Sequence, residues 1–326
     1  MDPLIRKKWQ FFFGWALVAA IFLYLGEMVW DNWNQVRDAS FTFEGLPLLA
    51  STLIFAFSYF IQIWAWYLIT LRLRIALSPS ETLESWFYSQ LGKYLPGKIW
   101  LVLSRFYFYE SRGKSKKNVS VALYLELVTM IAASAVIFLA VLILHRGLGF
   151  LYSWGLYGWL VLLFLFALAF LHPKVLQKIL NGVLVRWKRE PISLSISYSD
   201  ILWILSVCIL SWVVGGIGFY LFVDSFYPVT SQYIFFLTGA LAASSMLGLI
   251  AIFAPSGLGV REGALVYLLS FLMATPIAVI ISVLTRIWMT LIEIGLIGVI
   301  YLFRKFQRPG DGEGHGKAEE KPKDGR

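Results

Sequence analysis

Five basic side chains stand inside or beside apolar sequence: Lys93, Lys98, Arg105, Arg261 and Arg286. An ionisable group costs about 2.5–3.5 kcal/mol to insert at the middle of a membrane helix, so each needs a partner or a task. Lys93 and Lys98 flank the sequence Leu95-Pro96-Gly97, and Arg105 follows Lys98 by seven residues on the same helical face. Beyond the break a new helix begins, and its free N–H groups and dipole favour an anion. Cations converging on a helix N-terminus make, in physical terms, a phosphate site. The alternative is that the lysines snorkel to the cytoplasmic headgroups.

A second break repeats this logic. Pro255-Ser256-Gly257-Leu258-Gly259 frees backbone groups just before Arg261 and Glu262. Arg261 is expected either to bind a phosphate or to pair with Glu262 or Glu126. Gly259 and Gly263 are four residues apart, a spacing that would let another helix approach closely. Arg286 and Glu293 share one face but lie about 10 Å apart along the axis, so they can meet only through a bridging group. Glu126 is the lone acid of the apolar run 118–144. It reads as a proton site, or as the partner of Arg105 or Arg261.

Other motifs fail on inspection. Gly92 to Lys98 matches the first seven positions of a phosphate-binding loop, but Ile99 stands where the Mg²⁺-binding hydroxyl is required. Gly257, Gly259 and Gly263 resemble a dinucleotide fingerprint, with the spacing one residue too long and no βαβ context. Cys208 is the single cysteine, which excludes a disulfide scaffold and a Cys-ligated metal. His145 and His172 sit at the ends of apolar runs without ligand partners. No catalytic carboxylate cluster, metal or cofactor is expected.

The elements that must carry these residues are membrane helices. Of 326 residues 59% are apolar and 14% charged, against about 45–50% and 25% in soluble domains. A soluble fold is excluded. Candidate spans are 11–30, 46–71, 118–144, 150–171, 198–223 and 277–303. Lys and Arg cluster in 1–10, at Arg72 and Arg74, and in 111–117, 173–190 and 304–326, which together hold 21 of the 28. The opposite side has only Arg37 and Arg146. Both termini therefore face the cytoplasm of a cell inner membrane, and the net charge of +9 needs no nucleic-acid partner.

The fold class is accordingly an all-α integral membrane protein with about six spans and two broken helical hairpins, 79–110 and 231–275. The first is re-entrant, and the second is either re-entrant or two full spans. Span, span, hairpin, span is written twice, over 1–144 and 145–303, with opposite orientation. Inverted repeats with broken helices are a recurring transporter architecture. Residues 174–190 form an amphipathic basic segment suited to an anionic inner leaflet. The tail 304–326 lacks apolar periodicity and should be disordered.

The stretch Gly92-Lys93-Tyr94-Leu95-Pro96-Gly97-Lys98-Ile99-Trp100 with Arg105, and the stretch from Pro255 to Ala264, resemble two signatures of a flippase-like family. That family is named after the transmembrane region of lysylphosphatidylglycerol synthases. The Arg286 span is similar to its last conserved segment, and the likeness covers residues 10–305. Around Glu126 the chain departs, with Leu127 and Thr129 where the family often has Arg and a second acid. The chain also carries no aminoacyl-transferase domain. The resemblance implies translocation of a phosphate-bearing lipid, either a polyprenyl-phosphate sugar or a phospholipid, without synthase chemistry. Lys93, Lys98, Arg105, Arg261 and Arg286 would hold the phosphate, with Pro96, Gly97, Pro255, Gly257 and Gly259 shaping the breaks. Glu126, Glu262 and Glu293 would carry protons or pair the cations. The alternative is a membrane accessory subunit of an envelope glycosyltransferase or lipid synthase, with no transport of its own.

Overall fold

Proline, serine and glycine placements decide where the helices start and stop. In the computed structural model, which describes residues 23–31, 33–38, 41–94, 99–146, 172–186, 196–251, 254 and 257–307, every regular element is helical. They are α1 (Trp33–Arg37), α2 (Gly45–Arg72), α3 (Pro79–Leu91), α4 (Ile99–Glu110), α5 (Lys116–Arg146), α6 (Pro173–Arg186), α7 (Tyr198–Phe226), α8 (Ile234–Ile250), α9 (Val260–Leu269) and α10 (Thr275–Gln307).

Among the described residues five stretches are long and apolar enough to cross a membrane: Gly45–Arg72, Lys116–Leu144, Tyr198–Phe226, Ser231–Ile250 and Thr275–Arg304. Four of them coincide with expected spans. The fifth is the first arm of 231–275, which the sequence left open between hairpin and span. Of the expected span 11–30 only 23–30 is described, and it is helical. The expected span 150–171 lies outside the described residues, as do Pro96, Gly97, Lys98 and Pro255.

Helix α3 opens on a capping box. Glu81 N–H donates to Ser78 Oγ (3.4 Å), and Glu81 Oε2 accepts from Ser78 N–H (3.2 Å). Arg112 and Ser78 hold the Glu81 carboxyl down to a pKa of about 2. The α-helix ends at Leu91 and tightens into a 3₁₀ turn, Gly92–Tyr94. Close packing dictates the glycine: a Cβ on Gly92 would lie 2.5 Å from the Leu101 amide nitrogen of α4. With 13 and 12 residues, α3 and α4 are each about 20 Å long, short of the roughly 30 Å hydrocarbon core.

The most extensive helix pairing joins α2 and α7. They are antiparallel: Arg72 at the end of α2 meets Asp200 at the start of α7 (3.0 Å), while Thr42 and Glu44 amides donate to Phe226 and Ser225 carbonyls at the other end. Small residues allow the approach, as in other lipid-embedded interfaces. A Cβ on Gly218 would sit 3.1 Å from Phe55 N and Ser51 O, and Ser211 donates across to Ser58 O (3.1 Å). Trp288 of α10 stacks on Phe222 (4.4 Å between centroids) and lies 4.7 Å from Phe55, which ties the last helix to this pair.

At the second break Gly257 and Gly259 have φ of +70° and +80°, the left-handed region that only glycine enters cheaply. At Gly263 the expected close approach does not occur. A Cβ on Gly263 would meet nothing within 4 Å, whereas one on Gly257 would lie 2.6 Å from Gly248 O of α8. Helix α10 continues to Gln307, so the segment expected to be a tail begins as helix, and residues past 307 lie outside the described set. In α6 the side chains of Lys174, Lys178 and Arg186 are exposed, and 187–190 lie outside the described residues.

Candidate functional site

A cavity of about 590 Å³ lies among α2, α3, α4, α5, α7, α8, α9 and α10. It gathers Lys93, Arg105, Arg261 and Arg286, together with Glu126 and Glu293, in one wall set. Four of the five cations picked from sequence thus meet around one space, although they come from positions up to 193 residues apart. The fifth, Lys98, lies outside the described residues.

Arg105 borders the cavity but has no accessible surface of its own. Its Nη1 and Nη2 donate to the two oxygens of Glu126 (3.1 and 3.4 Å), and Nε donates to Ser89 Oγ (2.8 Å). The guanidinium also lies 4.0 Å over the Trp66 ring, a cation–π contact strengthened by desolvation. Trp86 Nε1 donates to Glu126 Oε1 (2.9 Å), and Trp66 Nε1 to Tyr109 Oη (2.8 Å). Of the partners considered for Glu126, the structure supplies Arg105. Trp66 and Trp86 sit inside this cluster, where their indole N–H groups find acceptors.

The other acids take partners from elements far away in sequence. Glu293 Oε1 accepts from Lys93 Nζ and from Tyr59 Oη, both at 2.5 Å. Glu262 Oε2 accepts from Gly259 N–H (2.7 Å) and so caps α9, while its Oε1 lies 3.7 Å from Arg286 Nε. Arg286 and Glu293 thus each reach an element other than their own helix. Arg261 pairs with neither Glu262 nor Glu126. Its Nη2 donates to Met289 Sδ (2.8 Å), and it has no carboxylate partner among the described residues. Of the four cations on the cavity wall, Lys93, Arg105 and Arg286 each face an acid, Glu293 and Glu126 on the wall and Glu262 off it, which leaves Arg261 as the cation in excess among the described residues.

Several residues at or near the cavity carried no expectation. Gln62, Gln90 and Ser245 line it, and amide side chains within apolar helices are a legible, if weaker, version of the signal that intramembrane charges give. Glu84 of α3 is buried and ion-paired with Arg304 of α10, at a position that had been assigned to the tail. Gly92 belongs to two sequence motifs, but its close packing on α4 is visible only in three dimensions.

These features fall within a known sequence pattern. The family model described as the lysylphosphatidylglycerol synthase TM region matches residues 11–298, which contain the whole cavity. The chain belongs to this family. It is a multi-pass membrane protein, and the family name links its helical region to enzymes that make a charged membrane lipid. No curated protein matches the chain.

Proposed function

We propose that this chain is a lipid flippase of the cell inner membrane, with both termini cytoplasmic, that moves a phosphate-bearing lipid between leaflets. One observation carries the proposal: Arg261 faces a 590 Å³ cavity with no carboxylate partner among the described residues. A half-buried guanidinium with only a thioether partner is costly, and a phosphate oxygen pair is the partner its planar fork fits best. Arg286 and Lys93 add positive potential around that point, and Lys98 follows the first break. Arg105 acts at one remove, by fixing Glu126 and the wall of the cavity.

The volume lies within the range of small-molecule sites and suits a headgroup, while acyl or prenyl chains stay in the bilayer. The two broken segments belong to halves of opposite orientation, and their exchange would open the cavity to either leaflet. The drive is the lipid gradient or protons carried by Glu126, Glu262 or Glu293. The protein's role is movement rather than covalent chemistry.

The test is reconstitution of the purified chain in liposomes with a fluorescent phospholipid or a polyprenyl-phosphate sugar. Movement above protein-free vesicles, lost in Arg261→Gln, is the expected result. No movement of either lipid by a folded protein would favour the accessory-subunit role in envelope biosynthesis. Cysteines placed at Ser115 and Asp38 should label from opposite sides of the membrane. Labelling of both from one side would remove the inverted halves.

A further inference from the structure

We propose that the lipid held in this cavity carries a single phosphodiester and an electrically neutral, hydroxyl-bearing headgroup; this rests on the transport reading and narrows its substrate. The cavity walls differ in chemistry. Helices α9 and α10 contribute Arg261 and Arg286, whereas α2, α3 and α8 contribute the uncharged polar groups of Gln62, Gln90 and Ser245. Gln62 follows Tyr59 by three residues, and Gln90 lies four after Trp86 and three before Lys93. Helical spacing therefore sets both amides beside the Lys93–Glu293–Tyr59 cluster.

Neither amide makes a side-chain hydrogen bond among the described residues, and Ser245 Oγ is buried without a partner. Each amide offers two donors and an acceptor, and Ser245 offers both kinds. A hydroxyl also donates and accepts, so a polyhydroxyl headgroup satisfies all three side chains. An ammonium, which only donates, does not.

Charge points the same way. The two carboxylates that border the cavity are already held, Glu126 by Arg105 and Glu293 by Lys93. Among the described residues a cationic aminoacyl headgroup would find no carboxylate left for it on the cavity wall and would face Arg261 and Arg286. With Arg286 facing Glu262 behind the wall, Arg261 is the one wall cation in excess among the described residues, which matches one phosphodiester, and a second phosphate would overshoot it.

The experiment uses the full chain in detergent, with lipids of matched solubility titrated against intrinsic tryptophan fluorescence. The probes are phosphatidylglycerol, a hexosyl polyprenyl phosphate, phosphatidic acid and lysyl-phosphatidylglycerol. The first two, which separate a glycerol from a sugar source of hydroxyls, should bind tightest, and the lysyl lipid weakest. Gln62→Leu and Gln90→Leu should each weaken the preferred lipid roughly fivefold and phosphatidic acid far less, as expected for a lost neutral hydrogen bond. Both changes remove a polar group from an apolar helix, so the fold tolerates them. Tightest binding by the lysyl lipid, equal binding of all four, or equal weakening of all four by the Gln variants would each overturn the proposal. Binding in the expected order without movement in liposomes would remove transport and leave the headgroup assignment standing. Movement of all four lipids alike would do the reverse.

Discussion

Arg105 and Arg261 follow the two Pro-Gly breaks of the sequence, yet the structure gives them opposite surroundings. Arg105 is fully buried, forked onto Glu126, bonded to Ser89 and stacked on Trp66. Arg261 has a thioether contact and an open cavity. The lesson is that a basic residue after a helix break specifies no role. The neighbouring helices do: α5 brings Glu126 and α2 the Trp66 indole to the first site, while the acid nearest in sequence to Arg261 turns away to cap its own helix. A neutralised arginine holds a wall in place, and an unneutralised one can hold a ligand.

The widest separation between the two sites should appear in stability. Arg105→Gln or Glu126→Gln alone leaves a buried charge unpaired and should cost about 3–5 kcal/mol, read as a lowered unfolding midpoint in detergent. The double variant should recover much of that loss. Arg261→Gln, with no acid to orphan, should leave the midpoint nearly unchanged. Equal destabilisation by Arg105→Gln and Arg261→Gln would erase the contrast.

Lipid movement should invert the ranking. Arg261→Gln removes a charge-assisted bond worth about 1.5–3 kcal/mol and should slow transport roughly ten- to hundredfold, with Arg261→Lys in between. The Arg105→Gln/Glu126→Gln double variant should keep more activity than Arg261→Gln. Adding Glu262→Gln to Arg261→Gln should restore nothing, because these two side chains do not pair in the structure.

A backbone comparison is sharper but smaller. Gly257→Ala meets both a φ of +70° and the Gly248 carbonyl, and should cost on the order of 2 kcal/mol. Gly263→Ala has open space and should be neutral or slightly stabilising. Comparable unfolding midpoints for the two would show that the second break tolerates side chains.

The smallest effect is electrostatic and lies at the mouth of the first hairpin. Arg112 and Ser78 lower the Glu81 pKa from 4.5 to about 2. A depressed carboxyl pKa contributes stability that is full above the unfolded value and fades as the pH falls toward the folded one. Glu81→Gln should therefore narrow the gap between stability at neutral pH and at pH near 2–3, measured as midpoints across that range. Since the Glu81 side chain is partly exposed, solvent screening keeps the effect modest.

How much was legible follows from the range of each interaction. The Ser78-Pro79-Ser80-Glu81 cap formed as its spacing requires, since its partners are three residues apart. The spans around 46–71, 118–144, 198–223 and 277–303 could be read for a similar reason, because a run of apolar residues in lipid has little choice but helix. Partner choice was less readable. Glu126 had two candidate arginines at comparable cost, and Glu293 turned to Lys93 across 200 positions of sequence. The close glycine contact moved from Gly263 to Gly257 because it depends on where α8 passes.

Composition and periodicity alone determined that this chain crosses a membrane as helices and that its buried cations must be accounted for. Insertion energies act residue by residue and leave that mark in one dimension. Only the tertiary structure decided which cation each acid neutralises, that Arg261 is left over, and that Gln62, Gln90 and Ser245 share its cavity. Those outcomes depend on distances of a few ångströms between helices distant in sequence, where desolvated charges interact strongly. No spacing along the chain encodes them.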